Sequence, residues 1–380
     1  MERIETVSNV RRARLGPRDR SRVIALLERE AVTRVYLLGL VNQGLLRRPS
    51  AEEASGLPPG AAPRMAVNLT ECRSSGSSSG STSCSGSGSV SGFWGAWRGR
   101  ELADVCLVSW RGGVMPTAED PEAGKLWGAF LCESRAPRLR LVTDRVAGDR
   151  VVRSFEREGG EIVLEREQLF YRLGADTPVS YREPKLRRAR LCEAAIVARL
   201  SLDMDREDVP LPGAAKTDVG ADQLLVTEAR IRGGRVFVLV EDGEIAFKVD
   251  VCVRGRSGAQ VEGVYTVPSH RGRGLATRCV AELSRRLLRD SPFVTLHVAA
   301  TNAAALTAYE RAGFCYHARH LLAVLRPPLV RCGAVPEGVA SASKGPATLP
   351  EPVPSAFRRV ARGPSTKKSG GAGEVSQDVD

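Results

Sequence analysis

The apolar positions of the second half of the chain change period in a regular way. Segments 236–240 and 245–251 are short runs rich in β-branched and aromatic residues. Between them Glu241, Asp242, Gly243 and Glu244 carry an Asp-Gly turn signal, so the pair predicts a β-hairpin. A third strand is predicted over 260–267 and is stopped by Pro268. The period then becomes helical: Leu275, Cys279, Val280, Leu283, Leu287 and Leu288 recur on one face of the segment 274–289, while Arg278, Glu282, Arg285, Arg286 and Arg289 hold the other. This pattern predicts an amphipathic helix packed on a sheet. A strand over 293–299, a helix over 303–312 and a last strand from Phe314, after the helix-stopping Gly313, complete the unit.

The first half shows one echo of this region. The pentapeptide Arg11, Arg12, Ala13, Arg14, Leu15 recurs as Arg187, Arg188, Ala189, Arg190, Leu191, and apolar residues at helical spacing follow each copy, Val23, Leu26 and Leu27 after the first and Ala195, Ile196 and Leu200 after the second. The repeat predicts two domains of similar topology, at about 8–175 and 184–326. Two segments are too poor in apolar residues to offset the entropy of ordering them. One, about 73–92, is almost entirely Ser and Gly and interrupts the first domain as a flexible insert. The other, 327–380, reads as a disordered tail rich in Pro, Gly, Ala and Ser.

A chain of 380 residues with 42% hydrophobic content is long enough for two cores. No stretch approaches the ~20 apolar residues needed to cross a bilayer, and residues 1–14 are charged where a secretory signal would be apolar, so a cytosolic location is expected. The nine cysteines lack the repeated spacing of a disulfide framework and are expected to be reduced. The net charge of +12 comes mainly from scattered arginines, and an aromatic content of 5% supplies no stacking platform. Nucleic acid is therefore disfavoured as a partner, whereas an anionic cofactor suits a basic surface.

The chemistry is concentrated where the third strand meets the amphipathic helix, in the run Pro268, Ser269, His270, Arg271, Gly272, Arg273, Gly274, Leu275, Ala276, Thr277. Glycines there let successive backbone N–H groups converge on an anion, and the helix adds its positive end, although a plain tight turn needs the same glycines. Arg271, Gly274 and Ala276 fit the R-x-x-G-x-G/A pattern, and Asn302 and Tyr309 fit a second motif, so residues 186–325 resemble the GNAT superfamily of N-acetyltransferases. Segments 241–249 and 261–276 are similar to a bacterial two-domain type whose N-terminal domain has no known function. The resemblance implies an α+β fold with a mixed, mostly antiparallel sheet flanked by helices, in tandem with a degenerate GNAT-like first domain. It also implies acetyl-CoA as the acyl donor and an amine as acceptor. Position by position, it places the pantetheine arm along the backbone of Val264, Tyr265 and Thr266, and the pyrophosphate at Arg271, Gly272, Arg273, Gly274, Leu275, Ala276 and Thr277. Asn302 becomes a cofactor contact or a helix cap, and Tyr309 the acid that protonates the departing thiolate, or else a core aromatic.

Attack on a thioester needs a neutral amine, so a base should lie near the acyl group. Glu262, on the same strand just before Val264, is the candidate, its alternative being an ordinary solvent-facing strand residue; His297 on the neighbouring strand reads as a half-buried sheet residue. Cys315, His317 and His320 have a metal-like spacing, but alternation along a strand leaves His320 off the face of the other two, and no metal is expected. No cysteine sits in a nucleophile motif, which favours direct attack without an acyl-enzyme. In the first domain the stretch Arg111, Gly112, Gly113 is followed by Val114, Met115 and Pro116, which do not open a helix, so that domain is not expected to bind CoA. A CoA-binding sensor without turnover is the competing reading.

Overall fold

The computed structural model describes residues 6–7, 10–46, 91–109, 112–208 and 219–328. Most of the Ser/Gly insert and nearly all of the tail lie outside the described residues. The first half runs β1 (Thr6–Val7), β2 (Val10–Arg14), α1 (Arg20–Glu28), α2 (Val35–Asn42), β3 (Gly92–Arg98), β4 (Glu101–Val108), β5 (Gly113–Pro116), α3 (Pro121–Cys132), β6 (Leu139–Asp144), α4 (Arg145–Arg157) and β7 (Glu161–Gly174). The second runs β8 (Arg187–Arg188), α5 (Ala194–Asp208), α6 (Ala221–Arg232), β9 (Val236–Glu241), β10 (Glu244–Val253), β11 (Ala259–Thr266), α7 (Leu275–Leu287), β12 (Phe293–Ala299), α8 (Ala303–Arg311) and β13 (Cys315–Arg326).

The thirteen strands among the described residues join one sheet in the order β1-β2-β3-β4-β5-β6-β13-β7-β12-β11-β10-β9-β8. Every neighbouring pair is antiparallel except β5 with β6 and β11 with β12. The halves repeat one plan, but each lends its last strand to the other. β7 leaves β6 to pair with β12 (Phe293↔Gly174 through Ala299↔Gln168), and β13 leaves β12 to pair with β6 (His320↔Asp144 through Leu325↔Leu139). The two exchanged strands pair with each other along their length, from Cys315↔Arg172 to Arg326↔Glu161. The fold is therefore the α+β, mostly antiparallel arrangement expected, with its halves interlocked.

Alternation along the central strands fixes which helices cover which face. Tyr171 and Leu173 pack under α7 and α8, while Leu321, Ala323 and Leu325 pack under α3 and α4. Leu321 stands opposite Glu167, which has the same parity as Tyr171, so these four helices share one face. α1 and α2 cover the other face in the first half, and α5 and α6 in the second.

Both pentapeptide copies enter or form an outlying strand and lead through one turn of 3-10 helix, Pro17–Asp19 or Leu191–Glu193, into the first helix of their half. Each turn is closed by a carboxylate: the Gly16 N–H donates to Asp19 (3.0 Å), and the Arg190 N–H donates to Glu193 (2.7 Å). That turn shifts the register of α5 away from the expected one. Its buried residues are Ala194, Val197 and Ala198, whereas Ala195 is exposed and Ile196 is 54% exposed. Glu282, which periodicity places on the solvent face of α7, is buried in the structure. Arg285 (2.7 Å) and Arg286 (2.8 Å) fold back over it and hold its carboxyl below the usual range against the burial that would raise it.

Candidate functional site

The site begins where β11 leaves β12. The two strands pair in parallel only at Ala259↔Val294 and Gln260↔Thr295, and beyond these residues no pair joins them. The stretch of β11 that holds Val264, Tyr265 and Thr266 is thereby freed from β12, and of its carbonyls that of Thr266 is taken by Arg271. A bulge sharpens the divergence: Asp250↔Glu262 is followed by Lys248↔Tyr265, three residues on β11 against two on β10. Gly263 sits in the bulge at φ +60°, where a Cβ would lie 2.9 Å from both Asp250 Oδ2 and Lys248 Nζ, so no larger residue fits without displacing that buried ion pair. Past the bulge Val264 packs toward α7, while Tyr265 turns to the other face and donates its hydroxyl to Glu207 on α5 (2.8 Å).

The ladder ends with the Val267 N–H donating to Ala246 C=O (3.0 Å), after which Pro268–His270 make a single 3-10 turn. Gly272 (φ +76°) and Gly274 (φ +71°) then carry the chain into α7 through backbone that side chains rarely adopt. The Arg271 N–H donates to Pro268 and the Arg278 N–H to Gly274; among the described residues, the N–H groups of Gly272 through Thr277 have no protein acceptor. The loop is braced from its sides. Arg271 donates to Thr266 C=O (3.0 Å) and to Glu207 (2.8 Å) with its guanidinium 5.4 Å from the Tyr265 ring centroid, and Arg273 pairs with Glu241 (2.8 Å). Leu275 and Thr277 have buried side chains, so only their backbone is offered to a ligand.

The remaining candidates occupy distinct places. Asn302 caps α8, accepting from the Ala305 N–H at 3.1 Å. Tyr309 is 5% exposed, packed against Phe314 (centroids 6.3 Å apart), and its hydroxyl has no hydrogen-bond partner among the described residues. Burial and the nearby Asp208 charge push its pKa up, which keeps the phenol protonated. Glu262 is not a free solvent-facing residue, because Arg230 holds its carboxylate at 3.0 Å. Burial pulls its pKa up, but Arg230, the Cys252 thiol and Lys248 outweigh that and keep it below the ordinary value. His297 is half-buried and turned away from the loop, its Nε2 2.8 Å from His320 Nδ1. Cys315 and His317 are exposed while His320 is buried, so the three do not converge; among the described residues no group of three His, Cys, Asp or Glu is placed to hold a metal ion.

Sequence reasoning missed Glu207, Arg230 and the bulge at Gly263. A glycine inside a predicted strand is the one available signal for the bulge, whereas the partners on α5 and α6 are distant in sequence and carry no motif. In the first half, the glycines set aside as a counterpart of the loop open a strand and no helix. Gly112 and Gly113 form the turn into β5, Arg111 lies outside the described residues, and the strand-to-helix connection of that half is Thr117, Ala118, Glu119 and Asp120.

This topology, with a parallel pair that diverges beside a glycine loop and helix N-terminus, is the arrangement that the resemblance to the GNAT superfamily implies. Consistently, residues 240–321 match the family model described as FR47-like protein. Among solved structures, the chain is similar to a putative GNAT-family acetyltransferase from Novosphingobium aromaticivorans (22% identity, 57% of this chain and 86% of that one, TM-score 0.41). It is similar also to a GCN5-related N-acetyltransferase from Sphaerobacter thermophilus (15% identity, 84% and 96%, TM-score 0.47) and to a tandem GNAT protein from the clavulanic acid biosynthesis pathway (14% identity, 62% and 82%, TM-score 0.41). No curated protein matches the chain.

Proposed function

We propose that the protein is an acyl-CoA-dependent N-acyltransferase that moves an acetyl group from acetyl-CoA to a primary amine, with its donor site within residues 184–326. The observation that carries this reading is the conjunction of the freed β11 edge with six consecutive N–H groups that have no protein acceptor among the described residues. An open strand edge supplies the donors and acceptors that an amide-containing pantetheine needs, and the N–H groups from Gly272 to Thr277, at the positive end of α7, suit a pyrophosphate. Arg271 and Arg273 flank that loop as cations.

In this reading the amine nitrogen attacks the thioester carbonyl directly. A C–N bond forms and the C–S bond breaks, the sulfur leaves as a thiolate and Tyr309 returns a proton to it, while the amine proton passes toward Glu262. Arg230 lowers the basicity of Glu262, which weakens it as a base whether the proton reaches it directly or through a water. An N–H on the β11 edge stabilises the oxyanion. Tyr309→Phe retains the ring and removes the proton, so acetyl-CoA affinity should persist while turnover falls ~10²- to 10⁴-fold. Turnover at the parent rate would remove Tyr309 from the mechanism, and absence of acetyl-CoA binding to the parent protein would remove the function. A non-catalytic acyl-CoA sensor is the second reading, favoured by the Arg230–Glu262 pairing. It predicts acetyl-CoA binding without transfer to any amine.

A further inference from the structure

A cavity of about 270 Å³ opens on the face of the sheet opposite α7 and α8, where the two halves meet. Three sources wall it: α2 with the turn before it, the diverging ends of β5 and β6, and the second-half residues Gln260, His297 and His320. Gln260 precedes Glu262 by two residues on one strand, so their side chains share a face and the cavity adjoins the candidate base. The Glu262 charge is felt both by Tyr36 of α2 and by His297, which line the cavity.

The lining contains an unfinished polar contact. His320 is 3% exposed, its ring stacked on Phe170 at 4.7 Å and 5° and its Nδ1 engaged with His297, yet its Nε2 is buried with no partner among the described residues. A polar atom so placed costs stability unless a bound molecule completes it. Burial keeps both rings neutral, lowering His297 to about 4 and His320 to about 2. When His320 Nδ1–H donates to His297, the Nε2 lone pair is left to accept from an N–H donor.

Charge selects the donor. The cavity is lined by the carboxylates of Glu30, Glu119 and Asp144 against one guanidinium, Arg34, which pairs with Glu119, so two negative charges remain. Tyr36, Met115 and Val142 give the rest of the wall an apolar surface. The volume lies just below the ~300 to 1,000 Å³ of small-molecule sites.

We propose that this cavity is the acceptor pocket and that the acceptor is a small primary amine, cationic in solution and carrying an apolar body, rather than a lysine or N-terminus of a protein. The proposal rests on the N-acyltransferase reading, and its test is separable from it. Phenethylamine serves as the cationic probe and 3-phenylpropanoate as its anionic counterpart, titrated calorimetrically into the full chain. The amine should bind at least tenfold more tightly than the carboxylate. Met115→Trp, which fills the cavity from a half-buried position, and the double variant Glu30→Gln/Asp144→Asn should each weaken it at least tenfold. Asn retains the cap that Asp144 provides to the Ala147 N–H, so the double variant removes charge without removing the helix start. His320→Phe keeps the stack on Phe170 and should also weaken amine binding. Acetyl-CoA affinity should stay within twofold in all of these variants. Equal or tighter binding of the carboxylate, amine binding unchanged in the double variant, or a lysine-bearing peptide that outcompetes phenethylamine would each overturn the pocket. In those cases intact acetyl-CoA binding would leave the N-acyltransferase reading standing.

Discussion

The two halves reach the same point in the same way and then part. In each, the last ladder bond runs from the residue after the third full strand back to the neighbouring strand: Thr117 N–H to Val105 C=O (2.8 Å) in the first half, Val267 N–H to Ala246 C=O (3.0 Å) in the second. From there the helix N-cap lies three residues on, at Asp120, in the first half and seven on, at Gly274, in the second. The longer connection leaves its N–H groups open from Gly272 onward and carries Arg271 and Arg273. The shorter one is closed from within. Asp104, fully buried, accepts from the Ala118 N–H (2.8 Å), the Glu119 N–H (2.9 Å), Thr117 Oγ1 (2.7 Å) and Trp127 Nε1 (2.9 Å), and Asp120 itself accepts from the Glu122 N–H. An internal carboxylate thus stands in the first half where the second half offers room for an external anion. One half neutralises its helix start with its own chain; the other leaves its N–H groups without a protein acceptor among the described residues, where the proposed pyrophosphate would sit.

If the interlocked strands are what hold both halves, separating them has the largest effect. Removing residues 1–179 takes away β7 and β6, leaving β12 with an open edge, β13 with no partner strand and the central core uncovered. The remaining chain should lose cooperative unfolding and cofactor binding together; a sharp thermal transition with retained acetyl-CoA affinity would show the second half to be self-sufficient. Next in size is Asp104→Ala, which orphans two backbone N–H groups, a hydroxyl and an indole N–H. A loss of about 3 to 5 kcal/mol in urea unfolding is expected, with acetyl-CoA affinity unaltered. Reduced affinity would mean that the first-half loop communicates with the donor site.

A pH series sharpens the same contrast. Burial raises Asp104 from 3.8 to about 6, against the hydrogen bonds that oppose the rise. Between those values the folded state keeps a proton that the unfolded state has lost, so the contribution of Asp104 to stability is greatest below about pH 4, falls as pH rises, and levels off above about pH 6. The change is about 2 to 3 kcal/mol. Glu193 and Glu282, both lowered, act in the opposite sense and lose their contribution as pH falls through their folded values. The difference in unfolding free energy between the parent and Asp104→Asn at pH 4.5 and pH 7 isolates the first effect; parallel profiles would show that Asp104 does not titrate in this range. The smallest effect belongs to Gly274→Val. Open space surrounds a Cβ there, the nearest atom being Arg278 Nη1 at 3.8 Å, so the stability loss should be limited to the ~1 to 2 kcal/mol of a left-handed residue. Acetyl-CoA affinity should nevertheless fall at least tenfold, because the branched side chain crowds the approach to the N–H groups; unchanged affinity in calorimetry would remove the cradle.

Local periodicity and turn chemistry settled much of the second half in advance. The hairpin at Asp242 and Gly243, the apolar face of α7, the strand from Phe293 to Ala299 and the cap at Asn302 all follow from interactions within a few residues, which a sequence displays directly. The loop at Gly272 and Gly274 was legible for the same reason, since positive φ is a property of single residues. Tertiary structure alone decided the exchange of β7 and β13, because either strand satisfies its hydrogen bonds against either neighbour and no local pattern distinguishes them. It alone buried Glu282, whose polarity is masked by two arginines a turn away, and alone tied Glu262 to Arg230 on α6. Asp104 reads in the sequence as one carboxylate among forty-four acidic residues, and only the folded chain shows it against the start of α3, filling from within the place that the second half leaves open.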